Sequence, residues 1–255
     1  MTDKGVCLVL GAGAGIGGCV AKRFAREGYH AVLARRSDEE GLNRLVSEIE
    51  EAGGRATGRL VDATEEGAIE KLVRATENEI GPITVAVFNL GAQIGNRKLA
   101  DTPLKTFELG WRMACFALFR LAKELMPAMV ERGGGTLLVT SATAAYRGNE
   151  GQLSHAAAMG GRRMLCQALN AEFAQQGVHV ATILIDGPVD APDTLGKMLG
   201  PEAYAKLRDE VGSADGLLLP EEIADTYYHV AQQHRSAWSH EIDLRPYSDQ
   251  PWWNN

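Results

Sequence analysis

The sequence predicts a single α/β domain in which a doubly wound parallel sheet lies between two layers of helices. Two observations lead to this fold class. Short apolar runs alternate with longer segments of helical spacing along almost the whole chain, and such alternation is typical of right-handed crossovers and a sheet covered on both faces. Residues 1–255 also contain no linker, repeat or low-complexity tract. We therefore expect one domain with three layers, α/β/α.

Several runs have the length and composition of strands. The first, Val6–Leu10, is continuously apolar and ends at a glycine, as expected for a strand buried on both faces. Further strand-like runs occupy residues 31–34, 59–61, 83–88, 136–140 and 178–185. A last run, 241–245, alternates polar and apolar residues. This alternation indicates an edge strand with one solvated face.

Helical spacing fills the intervals between these runs. Ile16, Val20, Ala21 and Phe24 recur at helical intervals before Gly28, and similar patterns cover 42–49, 67–79, 104–131, 152–176 and 202–209. The segment 190–212 is rich in proline, glycine and charge. It would lie beyond the carboxyl ends of the strands, where ligands bind in such folds. We interpret it as a candidate substrate lid, with an ordinary surface excursion as the alternative.

The composition excludes several classes of protein. The net charge is −7 and both signs are scattered along the chain, so neither a nucleic-acid nor a membrane partner is expected. The charged Asp3 and Lys4 come too early for a signal peptide, and no apolar run approaches the ~20 residues of a membrane span. The four cysteines and six histidines show no metal-ligand spacing. We expect a cytoplasmic protein without a metal.

A glycine-rich turn, Gly11-Ala12-Gly13-Ala14-Gly15-Ile16-Gly17, joins the first strand to the first helix. Small residues let the backbone approach a pyrophosphate, and the helix amino terminus offers unpaired amides. A turn with only a structural role is the alternative. Because the motif lies between a strand and a helix, we expect a Rossmann-type dinucleotide site that includes Gly11, Gly13, Ala14, Gly15 and Ile16.

The end of the second strand bears on the choice of dinucleotide. An acidic residue there would bind the ribose hydroxyl of NAD, but this chain has Arg35-Arg36-Ser37. Two guanidinium groups suit a 2′-phosphate. The sequence thus favours NADP(H) over NAD(H), with solvated surface arginines as the alternative for Arg35 and Arg36.

With these residues the chain resembles the short-chain dehydrogenase/reductase family over nearly its whole length. Further matches are Asp62-Ala63, Asn89-Leu90-Gly91-Ala92 and Asp186-Gly187-Pro188-Val189, each after a strand. The resemblance implies that Asp62 and Ala63 flank the adenine. It also implies that Asn89 and Gly91 line the cofactor and that Gly187 and Val189 lie near the nicotinamide.

The resemblance fails at the catalytic positions. The family uses an asparagine, a serine, a tyrosine and a lysine, and these align here with Ala114, Ala142, His155 and Met159. Ser141 precedes the serine position by one residue. The family's tyrosine passes a proton to the carbonyl oxygen and its lysine lowers the tyrosine pKa. The resemblance therefore implies a divergent member that lacks the usual proton donor.

His155 and Ser141 are the candidate catalytic residues that remain. An imidazole titrates near neutrality, and Ser141, Thr143 and Tyr146 could share hydrogen bonds with it; His155 filling a vacated pocket is the alternative. Asp186 replaces the proline that the family usually carries. A carboxylate there would favour a cationic substrate, such as an iminium, although a turn cap is a common role for such a residue.

Three functions remain open from the sequence. The leading hypothesis is an NADP(H)-dependent oxidoreductase that acts on a carbonyl, an imine or an activated alkene with a non-standard site. The second is an NADP(H)-binding pseudoenzyme that senses redox state or pairs with a partner subunit. The third is a non-redox lyase or dehalogenase on the same scaffold. The family resemblance implies a homodimer or homotetramer, and the tail Pro251-Trp252-Trp253 is expected to dock on a subunit or over a pocket.

Overall fold

A computed structural model describes residues 4–91 and 96–254. The strands are β1 Val6–Leu10, β2 His30–Arg35, β3 Arg55–Leu60, β4 Ile83–Phe88, β5 Gly135–Ala142, β6 Val178–Ile185 and β7 Glu241–Leu244. They form one sheet in the order β3-β2-β1-β4-β5-β6-β7, and every neighbouring pair is parallel. The expected doubly wound fold is confirmed.

Helices cover both faces of this sheet. They are α1 Ile16–Arg26, α2 Glu39–Glu51, α3 Ala68–Glu79, α4 Leu104–Trp111, α5 Ala117–Glu131, α6 Leu153–Phe173, α7 Lys197–Leu199, α8 Pro201–Glu210 and α9 Pro220–Ala231. None of the helices in the described part of the chain is long and apolar enough to cross a membrane.

Two hydrophobic clusters, one on each face of the sheet, form the core. Side chains alternate along β1, so that Leu8 packs into the cluster that holds residues of α3, α5 and α6, whereas Val9 packs into the cluster that holds residues of α1, α2 and α9. This alternation follows from the two-residue period of a strand. It explains why β1 must be apolar at every position.

Three elements differ from the sequence expectation. β3 begins at Arg55, earlier than the apolar run at 59–61, because an edge strand needs few apolar residues. The pattern over 104–131 is interrupted by a π-helical turn, Arg112–Phe116, between α4 and α5. α9 was missed, although Pro220 at its first turn and the spacing of Ile223, Tyr227 and Val230 are typical helix signals.

Candidate active site and cofactor pocket

The strand order reverses between β1 and β4, and the carboxyl ends of these two strands meet at the crevice where ligands bind in such sheets. The Asn89 side chain spans this crevice. Its amide donates to the Gly11 carbonyl at 2.9 Å and accepts from Thr140 Oγ1 at 2.7 Å, and Thr140 in turn lies 2.6 Å from the Tyr227 hydroxyl. The carboxyl ends of β1, β4 and β5 are therefore held in one arrangement.

The glycine turn packs tightly against its surroundings at Gly11 and Gly17. A Cβ atom at Gly17 would lie 2.3 Å from the Gly11 carbonyl oxygen, and Gly11 has a φ of +99°. At Gly13, by contrast, a Cβ would meet nothing within 4 Å. No side chain caps the first turn of α1, and that turn carries no acidic residue. The amides of Gly18 and Cys19 donate to the carbonyls of Gly13 and Gly15, and the amides before them at the start of the helix are available to an anion, as a pyrophosphate site requires.

A pocket of about 380 Å³ opens beside this turn. We call it the glycine-turn pocket. It gathers eight of the residues expected to bind the cofactor, together with six others: Gly11, Gly13, Arg35, Arg36, Asp62, Ala63, Asn89 and Gly91, with Ser37, Val61, Thr64, Leu90, Met113 and Thr194. Twelve of these residues lie at or just after the carboxyl ends of β1 to β4, while Met113 and Thr194 come from the segments 112–116 and 192–196. The donor set, a bare helix amino terminus with two guanidinium groups, fits a phosphorylated dinucleotide.

The two arginines in this pocket differ in how they are paired. Arg35 Nη2 lies 3.0 Å from Asp38 Oδ2, and Asp38 also accepts from the Gly41 amide at 3.0 Å. Arg36 is exposed and forms no ion pair with any described residue. Asp38 thus neutralises part of the Arg35 charge within the protein, whereas the Arg36 charge remains available to a ligand.

Asp62 is held by its own turn. Its carboxylate accepts from the Thr64 amide at 2.8 Å and from Thr64 Oγ1 at 2.7 Å. Burial acts to raise the pKa of Asp62, but these hydrogen bonds and the charge of Arg36 outweigh it, so the pKa lies below its usual value. Asp62 is therefore ionised and fixed at neutral pH.

A second pocket, of about 220 Å³, adjoins the first. We call it the His155 pocket. It contains both candidate catalytic residues, Ser141 and His155, and shares Asn89, Leu90 and Gly91 with the glycine-turn pocket; the rest of its lining is Ile16, Thr140, Ala142, Met159, Arg162 and Ile185. Ser141 is 4% exposed, and its Oγ has no hydrogen-bond partner among the described residues. His155 is half-buried.

The positions aligned with the family's asparagine and lysine have become apolar. Ala114 and Met159 pack with Ala144 and Ala158 in a small cluster beside the His155 pocket. Met159 was expected to be a core residue, and at 2% exposure it is one. No polar group replaces these two side chains at their own positions.

Arg162 is the residue of this site that sequence reasoning missed. It is 1% exposed and lines the His155 pocket. Its spacing from Met159 and His155, three and seven residues, places all three on one face of α6. That spacing is a signal that the sequence contains. It does not separate Arg162 from the neighbouring Arg163, whose spacing of four and eight residues fits the same face.

Tyr146 and Asp186 form contacts that the sequence did not predict. The Tyr146 hydroxyl donates to Glu241 Oε2 at 2.9 Å. Asp186 Oδ2 accepts from the Trp252 backbone amide at 3.1 Å and lies 3.8 Å from Arg245 Nη1. The Asp186 carboxylate is therefore engaged by the tail and by Arg245.

The tail docks on its own chain. Trp252 lies with its ring centroid 5.0 Å from that of Tyr146, and its Nε1 donates to Asp243 Oδ2 at 3.3 Å. The Arg147 side chain donates to the Trp252 carbonyl at 2.8 Å. Because Glu241, Asp243 and Arg245 alternate along the chain, their side chains lie on the same side of β7. There they bind Tyr146, Trp252 and Asp186, respectively.

Of the remaining residues expected to bind the cofactor, only Ile16 lines one of the two pockets. Ile16 lines the His155 pocket, and Gly15 is packed against Ala191, while Ala14 is exposed on the turn. Gly187 follows β6, where a Cβ would lie 2.6 Å from Pro246 Cδ, and Val189 pairs with Leu218. Neither Gly187 nor Val189 lines the two pockets. Ala92, the last residue of its motif, lies outside the described residues.

The candidate lid, 190–212, forms a π-turn followed by α7 and α8. Thr194 lines the glycine-turn pocket. Tyr204 is buried and donates a hydrogen bond to Asp190, which also pairs with Arg208 at 3.2 Å. Tyr204 and Arg208 therefore stabilise this segment internally.

Comparison with known proteins gives consistent matches. A family model described as short chain dehydrogenase matches residues 5–194. Short-chain reductase protein NovJ of Streptomyces niveus is 33% identical over 243 residues, which cover 91% of this chain and 88% of that protein. Glycine betaine reductase ATRR of Emericella nidulans is 29% identical over 247 residues, but this chain spans only 19% of its length.

Solved structures agree with these relatives. A short-chain dehydrogenase from Rhodopseudomonas palustris superposes with a TM-score of 0.80 and 33% identity, covering 95% of this chain and 99% of that one. A variant of actinorhodin polyketide ketoreductase, solved with NADPH, superposes with a TM-score of 0.80 and 26% identity, covering 94% and 95% of the two chains.

Proposed function

The chain belongs to the short-chain dehydrogenase family, and from this premise we propose that it is an NADP(H)-dependent oxidoreductase that acts on a small carbonyl compound, imine or activated alkene. One observation carries the proposal. The glycine-turn pocket and the His155 pocket share Asn89, Leu90 and Gly91, so a dinucleotide held in the first pocket reaches a substrate held in the second. The NADPH found with a structural neighbour supports the choice of cofactor.

Each part of the chain has a task in this proposal. The amides at the start of α1 and the glycine turn hold the pyrophosphate, and Arg36, which is exposed, pairs with the 2′-phosphate. NADPH supplies a hydride when it is bound. Ser141 donates its unpaired hydroxyl to a substrate oxygen or nitrogen, and His155 delivers the proton that completes the reduction.

The test is consumption of NADPH, followed at 340 nm, with panels of ketones, enones and imines. We expect turnover with at least one panel and a rise in melting temperature with NADPH that exceeds the rise with NADH. His155→Ala should lower kcat by about 100-fold or more, the usual contribution of a general acid. His229→Ala, on the exposed face of α9, is the matched control. Binding of NADPH with no turnover in any panel would favour the pseudoenzyme, and turnover without cofactor would favour the lyase.

We also propose a homodimer or homotetramer. The π-turn between α4 and α5 presents a stack of exposed aromatic rings, Trp111, Phe116 and Phe119, with centroids 5.5 and 6.4 Å apart. Exposed apolar patches of this kind mark interaction surfaces. Sedimentation velocity should show more than one subunit for the wild type and a shift toward monomer for Phe119→Glu; a monomeric wild type would contradict the proposal.

The segment 190–212 remains a candidate substrate lid. Thr194 on the pocket wall and Ala191 against Gly15 support this role. If the segment closes over the cofactor, saturating NADPH should protect its backbone amides from hydrogen exchange more than those of α9. Equal protection of the two segments would identify 190–212 as an ordinary surface excursion.

A further inference from the structure

Arg162 is a buried cation in the wall of the His155 pocket. Its side chain, 1% exposed, is the largest that the described fold buries almost completely. Burying a charge is costly unless it is paired and hydrogen-bonded, so a protein retains one where the charge or its bonds are needed.

The bonds of Arg162 connect the elements that form the pocket. Nε donates to the Ala114 carbonyl at 2.9 Å, Nη1 to the Thr140 carbonyl at 2.7 Å and Nη2 to the Leu90 carbonyl at 2.7 Å. These carbonyls belong to the π-turn, to β5 and to the chain that follows β4. The guanidinium carbon also lies 4.9 Å from the centroid of the Phe88 ring. A single side chain therefore sets the positions of three walls.

The charge of Arg162 is not neutralised by an acid. No carboxylate pairs with it in residues 4–91 and 96–254, whereas the adjacent Arg163 lies 2.8 Å from Glu241. Burial lowers the pKa of Arg162 to about 10, which leaves the guanidinium protonated at neutral pH. The groups it faces are themselves neutral there, because burial raises the pKa of Cys166 to about 11 and the pKa values of Cys115 and Tyr227 above their usual values.

Part of the surroundings of this charge is apolar. Met159 on the pocket wall and Ala114 beside it are apolar and buried, and an apolar surrounding lengthens the reach of a charge. Ser141 Oγ is buried without a partner among the described residues, so it also awaits a polar ligand. The Asp186 carboxylate, which follows β6, is engaged by Trp252 and Arg245.

We propose that Arg162 determines the charge preference of the His155 pocket, favouring a ligand whose reacting atom gains negative charge over one that is cationic. The inference rests on the proposed function and narrows its substrate class. When a hydride adds to the carbon of a ketone, the C=O π bond breaks and the oxygen takes its electron pair, while NADPH is oxidised to NADP⁺. That oxygen is then protonated. An iminium nitrogen, which begins positive, is disfavoured. Arg162 is a positioning residue, since its charge acts through the pocket wall.

The test measures binding rather than turnover. Wild-type protein saturated with NADPH, which is expected to cover Arg35 and Arg36, is titrated calorimetrically at pH 7 with cyclohexanecarboxylate and with cyclohexylmethylammonium. We expect the carboxylate to bind at least tenfold more tightly. In Arg162→Gln the ratio should fall to near one, in Arg162→Lys it should be largely retained, and in the control Arg163→Gln it should be unchanged. A purely structural role would not make the ratio depend on charge.

Several results would overturn the proposal. They are equal affinity of the wild type for both ligands, a preference for the ammonium, no binding of either, or an unchanged ratio in Arg162→Gln. If Arg162→Gln does not fold, the wild-type ratio and Arg162→Lys still decide. If the protein shows the expected affinity ratio but reduces no substrate, the proposed enzymatic function is wrong and the inference about Arg162 holds. If the protein reduces iminium substrates faster than ketones, only the inference about Arg162 is wrong.

Discussion

The two pockets of this protein meet at one crevice, yet they differ in how they are formed and in how far the sequence predicts their residues. The glycine-turn pocket is formed largely by backbone and by short local motifs, and eight of its lining residues were expected from the sequence. The His155 pocket is lined by Met159 and the buried Arg162, with Ala114 packed beside it, where the sequence comparison led us to expect polar groups. In this fold, the residues that bind a dinucleotide can therefore be retained while the residues beside it that carry out the reaction change.

The largest expected effect concerns the His155 pocket. Arg162→Met removes the donors of three buried carbonyls, each of which costs about 1 to 3 kcal/mol when left unsatisfied. We expect the free energy of unfolding to fall by about 3 to 5 kcal/mol in urea titrations. Arg163→Met, which loses only a partly exposed pair with Glu241, should cost about 1 kcal/mol or less. Equal losses would mean that the bonds of Arg162 in the wall of the His155 pocket contribute no more stability than a partly exposed ion pair.

Next in size are the effects at two glycines of the glycine turn. Gly17→Ala places a Cβ 2.3 Å from the Gly11 carbonyl, which should cost about 1 to 3 kcal/mol of stability, as overpacking does, and weaken NADPH binding as well. Gly13→Ala meets nothing within 4 Å. It should leave the melting temperature unchanged and weaken NADPH binding alone. Normal NADPH affinity in Gly13→Ala would show that the phosphates do not approach this turn.

A smaller effect separates the two arginines beside Ser37. Arg36→Ala should weaken NADPH binding by about tenfold, the loss of about one charge-assisted hydrogen bond, and leave NADH binding unchanged. Arg35→Ala should have less effect, because Asp38 already neutralises part of its charge. Fluorescence titration with both cofactors checks this. If NADH affinity falls as far as NADPH affinity, the arginines do not read the 2′-phosphate.

The smallest effects are expected at two carboxylates of β7, away from both pockets. Burial acts to raise the pKa of Glu241, but bonds from Arg163 and Tyr146 hold it below its usual value. Its stabilisation is thus present at neutral pH and is lost as the pH falls through its folded pKa. Burial and the charge of Asp186 raise the pKa of Asp243, so its contribution is greatest at low pH and is lost as the pH rises.

We therefore expect opposite pH trends from the two variants. Glu241→Gln should destabilise the protein by about 1 kcal/mol at pH 7, the scale of a partly exposed pair, and the difference should shrink in acid. Asp243→Asn should be neutral or slightly stabilising at pH 7, and its advantage should vanish below the usual Asp range. Thermal unfolding between pH 3 and pH 8 measures both. Parallel trends would contradict the assignment.

The sequence predicted the fold well because its signals are local. Continuous apolar strands such as Val6–Leu10 and the glycine turn each report their own structure, and the ends of parallel strands must meet at one edge. β3 and α9 were harder, since an edge strand lacks an apolar run and α9 follows an irregular segment. The side chains of the candidate site were only partly predictable. Ser141 and His155 line one pocket. Trp252, which binds Asp186, lies 66 residues away in the tail, and Arg162 binds carbonyls of three distant segments.

The π-turn at Arg112–Phe116 connects features that otherwise look unrelated. Five residues apart on an ordinary helix, Trp111 and Phe116 would point about 140° away from each other. The widened turn brings their rings into a stack and presents the Ala114 carbonyl to Arg162. Such turns amount to a one-residue insertion in a helix. Deleting a single residue here would rotate the preceding helix by about 100° relative to α5, and would change an outer surface and an inner wall in the same step.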